Sequence, residues 1–179
     1  MSRLHVPLRA GDVWLEPLAE EHREPLRAAC AADTEIWRIY PVNLAGDGFD
    51  PGFAAMLATS GRYAFAVLAG GALVGTTSYL NVAEADRALE IGGTYLAPDE
   101  RGTGLNDVMK RLMIDHAIAC GFHRIEFRVD TRNTRSMAAV TKLGARLDGV
   151  LRRSRITWTG YARDTAVYSL LPEEWAARA

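Results

Sequence analysis

A mixed α/β (α+β) fold, one sheet with helices on both of its faces, is what this sequence predicts. Three observations carry it. After Gly61 the hydrophobic pattern becomes alternating, and two strand patterns follow around Ala69-Gly70-Gly71. From Leu89 to Lys142 the chain then runs strand, helix, strand, helix. A last pair of strand patterns closes around Thr159-Gly160. A dinucleotide-binding fold would alternate strand and helix from the beginning, and this chain does not.

In order, Leu4 to Leu8 and Asp12 to Pro17 read as short strands around an Arg9-Ala10-Gly11 turn. Glu20 to Ala32 reads as a helix whose Pro25 marks a late start. Asp33 caps a second short helix carrying Ile36, Trp37 and Tyr40, which Pro41 ends. Val42 to Phe49 is a loop, and Asp50-Pro51 opens a helix to about Thr59. Tyr63 to Leu68, Ala72 to Tyr79 and Leu89 to Leu96 are strands, with a polar loop from Asn81 to Asp86. The helix Leu105 to Ala119 puts Leu105, Val108, Met109, Leu112 and Met113 on one side, and Gly121 caps it. Ile125 to Val129 is a strand, Thr134 to Lys142 a helix closed by Gly144. Leu147 to Trp158 and Ala162 to Leu170 form the last hairpin, and Pro172 to Ala179 is a tail.

The 179 residues suffice for a single domain, 1–179, with a sizeable core. A formal charge of -1 supplies no basic field for nucleic acid. Cys30 and Cys120 lie far apart and read as buried thiols rather than a disulfide framework. The opening Met1-Ser-Arg-Leu-His-Val-Pro lacks the apolar core of a signal peptide. No apolar run approaches the roughly 20 residues of a membrane span. The expected setting is a reducing cytoplasm. His5, His22, His116 and His123 show no metal-ligand spacing, so no metal is expected. Cys120 ends a helix, where the dipole raises a thiol pKa, which argues against a nucleophile.

The most informative stretch is Glu90-Ile-Gly-Gly-Thr-Tyr-Leu-Ala-Pro-Asp-Glu-Arg-Gly-Thr-Gly-Leu-Asn106. It begins as a strand and presents Arg101-Gly102-Thr103-Gly104 just before a helix. Such a turn joins free backbone N–H groups to the positive end of the helix, which suits a phosphate. It reads as a loop for the pyrophosphate of a nucleotide-like cofactor, or as a tight turn with no ligand. No Gly-Lys-Ser/Thr follows, so it is not a P-loop.

Here the sequence resembles the GNAT superfamily of acyl-CoA-dependent N-acyltransferases, whose pyrophosphate loop reads Arg/Gln-x-x-Gly-x-Gly/Ala. Arg101, Gly104 and Asn106 fall on those positions, with Asn106 replacing the usual small residue. Downstream, Arg128-Val-Asp-Thr-Arg-Asn133-Thr-Arg-Ser136, Lys142-Leu-Gly-Ala145 and Gly149-Val-Leu-Arg152 are similar to the RimJ/RimL-type branch. So are Arg163-Asp164 and Glu174-Trp175. The resemblance is specific from about Glu90 to Trp175. It implies a central, mostly antiparallel twisted sheet and acetyl transfer from acetyl-CoA to a primary amine in a ternary complex. The alternative is a catalytically silent CoA-binding module.

The resemblance implies that Arg101, Gly102, Thr103, Gly104, Leu105 and Asn106 hold the pyrophosphate. The backbone at Tyr95, Leu96 and Ala97 would hold the acyl arm, and Asn133 would fix the cofactor arm. Ser136 stands where this branch uses a serine to protonate the leaving thiolate; position 137, often tyrosine in the family, is Met. Glu90 is the base candidate, because its central strand position lets a carboxylate reach the amine directly or through water. Trp37, Arg38 and Tyr40 read as core in preference to a cleft wall. The acceptor would be a small-molecule amine or a protein N-terminus, with no nucleic acid or membrane partner and a homodimer left open.

Overall fold

Alternating apolar positions give the chain eight strands, and the computed structural model, which describes residues 3–178, joins them in one sheet. The strands are β1 (Leu8–Ala10), β2 (Val13–Pro17), β3 (Tyr63–Ala69), β4 (Ala72–Ala83), β5 (Ala88–Leu96), β6 (Arg124–Asp130), β7 (Arg146–Ile156) and β8 (Ala162–Leu170). Their order is β1-β2-β3-β4-β5-β6-β8-β7, and every pairing is antiparallel except β5 with β6. The helices are α1 (Arg23–Ala31), α2 (Phe49–Ala58), α3 (Leu105–Ala119), α4 (Thr134–Lys142) and α5 (Pro172–Ala176). The mixed sheet with helices on both faces is therefore as expected.

Two apolar layers sandwich the sheet. On one face Leu15, Phe65, Val67, Tyr79, Leu89 and Ile91 pack with Leu105, Met109 and Met113 of α3 and Val140 of α4. On the other, Ala64, Ala66 and Tyr95 meet Leu26 and Cys30 of α1, Phe49, Phe53 and Met56 of α2, and Trp37 between them. Burying such side chains is worth about 1.5–3 kcal/mol each, which fixes the faces of α1 to α4.

Local departures have local causes. Leu4 to Val6 is a turn rather than a strand, yet Leu4 is 1% exposed and belongs to the core. The first hairpin turns at Gly11 and Asp12, one position late, because Gly11 supplies the positive φ of +57°. Glu20–His22 is a 3-10 turn and α1 starts only at Arg23, so Pro25 falls in its first turn, where a missing N–H costs nothing. The segment after Asp33 is a 3-10 turn, Glu35–Arg38. β4 runs on to Ala83, and the tail contains the short α5, whose Trp175 Nε1 donates to Asp115 Oδ1 at 2.6 Å.

Candidate active site

The site begins with a failure of pairing. β5 and β6 run parallel over three pairs, Ala88 with Arg124, Leu89 with Ile125 and Glu90 with Glu126. Beyond Glu90 they diverge. A bulge in β5 sets this up: two steps along β4, Thr76 to Ser78, span three along β5, Gly92 to Tyr95. Gly93, at φ +59°, takes the conformation the bulge requires. Both strands lead into helices on the same face of the sheet, α3 after β5 and α4 after β6. The two helix starts therefore flank the mouth of the opening.

At the end of β5, Ala97 N–H donates to Val74 carbonyl at 2.8 Å, so it stays in the ladder with β4. In an extended strand the neighbouring residue faces the other way. Leu96 accordingly turns away from β4, its carbonyl accepting Arg101 Nε at 2.9 Å. Of Tyr95, Leu96 and Ala97, Leu96 is the one that turns its N–H toward the opening. Tyr95 is a core ring, stacked on Trp37 at 4.6 Å with its hydroxyl donating to Ala29 carbonyl.

The turn into α3 is built on two glycines with positive φ, Gly102 at +87° and Gly104 at +96°. Thr103 Oγ1 donates to Glu100 carbonyl and accepts from Leu105 N–H at 3.3 Å. Among the described residues, the N–H groups of Gly102, Thr103, Gly104 and Asn106 have no protein acceptor, and Gly102 to Gly104 are exposed. They form an open cradle of donors at the positive end of a 15-residue helix. The Arg101 side chain lies elsewhere. It turns inward to Asp33, with Nη1 to Oδ2 at 2.5 Å, and its buried Nη2 has no acceptor. The Arg101 side chain braces the loop against Asp33.

Across the opening, Asn133 caps α4, its Oδ1 accepting Ser136 N–H at 3.0 Å. That leaves the Ser136 hydroxyl, on a half-buried residue, without a protein partner among the described residues. Glu90 sits at the fork, 7% exposed. Its Oε2 accepts Asn81 Nδ2 at 2.7 Å and lies 3.7 Å from Arg128 Nε. Burial pushes its carboxyl above the usual range, with Arg128 and the Asn81 bond opposing. Beside it Gly92 leaves bare backbone; a Cβ there would stand 2.7 Å from Glu90 Oε1.

One neighbour, Lys110, was not a sequence-derived candidate, and another, Tyr40, was read as core. Lys110 is 6% exposed on α3 and donates Nζ to Thr94 Oγ1 at 2.6 Å. Burial pushes its amine down to about 7. Its place beside Met109 and Met113, on the apolar side of α3, was the available signal. Tyr40 donates its hydroxyl to Thr94 carbonyl at 2.5 Å, next to the bulge, while Trp37 is fully buried. Trp158, at the tip of the β7–β8 hairpin, donates Nε1 to Trp37 carbonyl at 2.7 Å and so closes one side of the site.

This forked sheet with a donor-rich helix start defines a class, and comparison with known proteins agrees. Residues 12–146 match the family model described as the acetyltransferase (GNAT) domain, and the chain belongs to that family. A structure from T. thermophilus, described as an acetyltransferase, is 32% identical over 96% of this chain and 92% of its own, with a TM-score of 0.88. One from Chromobacterium violaceum, described as a GNAT-family acetyltransferase, is 30% identical over 96% and 94%, with a TM-score of 0.88. Mycobacterium smegmatis RimJ, in complex with CoA-disulfide, is 25% identical over 94% and 87%, with a TM-score of 0.80. A search among curated proteins finds no match. Among the described residues, no helix is long and apolar enough to cross a membrane.

Proposed function

We propose that this chain transfers an acetyl group from acetyl-CoA to a primary amine by direct attack in a ternary complex. The observation that carries the reading is the opening between β5 and β6, with unpaired amides at its mouth and a buried carboxylate at its fork. The donor set fits the cofactor. The N–H groups of Gly102, Thr103, Gly104 and Asn106 suit the pyrophosphate, and Leu96 N–H suits the acyl arm. When bound, acetyl-CoA supplies the activated acyl group as a thioester.

The protein's own groups then manage two protons. Glu90, its basicity raised by burial, takes the proton from the amine nitrogen as that nitrogen bonds to the acyl carbon. Leu96 N–H steadies the negative charge on the acyl oxygen. As the carbon–sulfur bond breaks, the Ser136 hydroxyl gives its proton to the thiolate, directly or through water. A primary α-amine has a pKa near about 8 and a lysine near about 10.4, so the demand on Glu90 depends on the acceptor. We place the enzyme in the RimJ/RimL-type branch on the Asn133 and Ser136 pattern, and in the cytoplasm on its two free thiols.

The test is thiol release from acetyl-CoA against a panel of amines and N-terminal peptides. Turnover on an amine is the expected result. CoA binding with no turnover on any acceptor would replace this reading with a silent CoA-binding module.

A further inference from the structure

The sheet face that carries Glu90 changes character at β6. Over β3 to β5 it is covered by α1, α2 and Trp37. Beyond, it carries charge. Glu90 stands in register with Glu126, and alternate side chains share a face, so Arg128 and Asp130 stand on the same side. Directly opposed residues of an antiparallel ladder also share a face. Asp130 opposes Thr165, and Arg155 opposes Arg163, two residues from Thr165. Phe127 and Tyr168 point the other way, into the core with α3 and α4.

The carboxylates of this face are engaged. Glu126 accepts from Arg124 at 2.9 Å and Arg128 at 3.1 Å, and Asp130 accepts from Arg132 at 2.7 Å. Three guanidiniums are not. Arg62 donates Nε to Ser78 Oγ at 3.1 Å, with Nη2 beside Gly93. Arg163, 6% exposed, reaches Thr165 Oγ1 at 3.0 Å and Arg128 carbonyl at 3.5 Å, leaving Nη1 without a protein acceptor. Among the described residues the Arg155 side chain makes no hydrogen bond, and none of the three is in an ion pair. All three lie within electrostatic reach of Glu90. Burial pushes Arg62 down to about 10, with the Glu90 charge opposing. Arg163 feels the charges of Asp130 and Glu90 but pairs with neither, and a nearly buried guanidinium outside any ion pair is costly unless something supplies the anion.

We propose that the acceptor is an amine carrying its own anionic group, a carboxylate or a phosphate, held by Arg155 and Arg163 while the amine reaches Glu90. The inference rests on the acetyl-transfer reading above and names the substrate class of that site. The planar fork of arginine matches both oxyanions. A polyamine would bring further positive charge into the same half-buried field, where like charges repel.

The full chain saturated with CoA is titrated calorimetrically with matched pairs: glycine against glycinamide, and 2-aminoethyl phosphate against ethanolamine, with spermidine alongside. Turnover of each with acetyl-CoA is followed by thiol release. The expected result is at least tenfold preference for one anionic member over its neutral partner, and the pair that responds distinguishes carboxylate from phosphate. Arg155→Gln, at an exposed position, should collapse that ratio; Arg163→Gln repeats the test, with thermal unfolding reporting whether it folds. Equal or better binding and turnover of the neutral amines or spermidine would overturn the proposal, and so would no binding of any of them. Selective binding of the anionic member without turnover would uphold it while removing the acetyl-transfer reading.

Discussion

Arg101 and Asp33 meet at 2.5 Å, Nη1 to Oδ2, across the mouth of the β5–α3 turn. The same Asp33 accepts the N–H groups of Glu35 and Ile36 through Oδ1, so one carboxylate ties the α1 loop to the donor cradle. The Arg101 bond holds its pKa below the usual carboxylate range. The stability this contributes is complete above about pH 4 and fades as pH falls through the lowered value.

Arg101→Ala should therefore cost about 1–3 kcal/mol of stability by denaturant unfolding, since it leaves a mostly buried carboxylate unpaired. Asp33→Asn should lower both stability and CoA affinity in the same direction. A phosphate-binding Arg101 would instead be released by Asp33→Asn, and CoA affinity would rise.

Gly102→Ala and Gly104→Ala probe the cradle itself. A Cβ at either position meets open space, so the penalty is backbone strain alone, at φ of +87° and +96°. Each should cost about 1–2 kcal/mol, read by unfolding. If the exposed amides hold a pyrophosphate, CoA titration should weaken as well. Unchanged affinity in both variants would remove the loop from the binding site.

Much of this architecture was legible in the chain. The switch of period after Gly61, the glycine turns and the Asp130–Asn133 loop placed β3 to β8 and α3 to α4 close to where they stand. Short local segments were not legible: Leu4 is buried without being in a strand, because core packing does not require one. At the site, the glycines and Ser136 could be read as motif positions. The inward turn of the Arg101 side chain could not, since its partner Asp33 lies 68 residues away. The Ala97 bond to Val74 likewise depends on strand register, which no local pattern encodes. The three guanidiniums outside any ion pair come from β7, β8 and the residue before β3, and only the sheet order brings them toward Glu90.

Glu90→Gln should separate activity from stability. Burial raises the folded-state pKa of Glu90, so between its unfolded value and that raised value the native state binds the extra proton. Stability then falls as pH rises through that window, and the glutamine variant is spared the fall. It should be at least as stable as the parent at pH 7 and gain nothing below pH 4. Its rate should drop about 10²–10⁴-fold, most at low pH, where the amine is protonated. A pH–rate profile that keeps its shape would remove Glu90 as the base.

Lys110 gives the opposite sign. Its folded-state amine is pushed down to about 7 by burial beside Thr94, against an ordinary value near 10.5. Between those values the unfolded chain holds the proton and the native state releases it, so stability rises with pH across that interval and is flat below about 7. Lys110→Met keeps the side chain's length and the packing of α3 but removes the charge. The variant should show a flatter stability–pH curve from 7 to 10 and equal or higher stability at pH 7, measured by urea unfolding at each pH. Thr94→Val, which removes the hydroxyl that accepts the Lys110 bond, should lower stability at pH 9 by about 1 kcal/mol or more, because a buried amine then loses its acceptor. A parent protein whose stability does not change between pH 7 and 10 would mean that Lys110 stays charged and hydrated in the folded state.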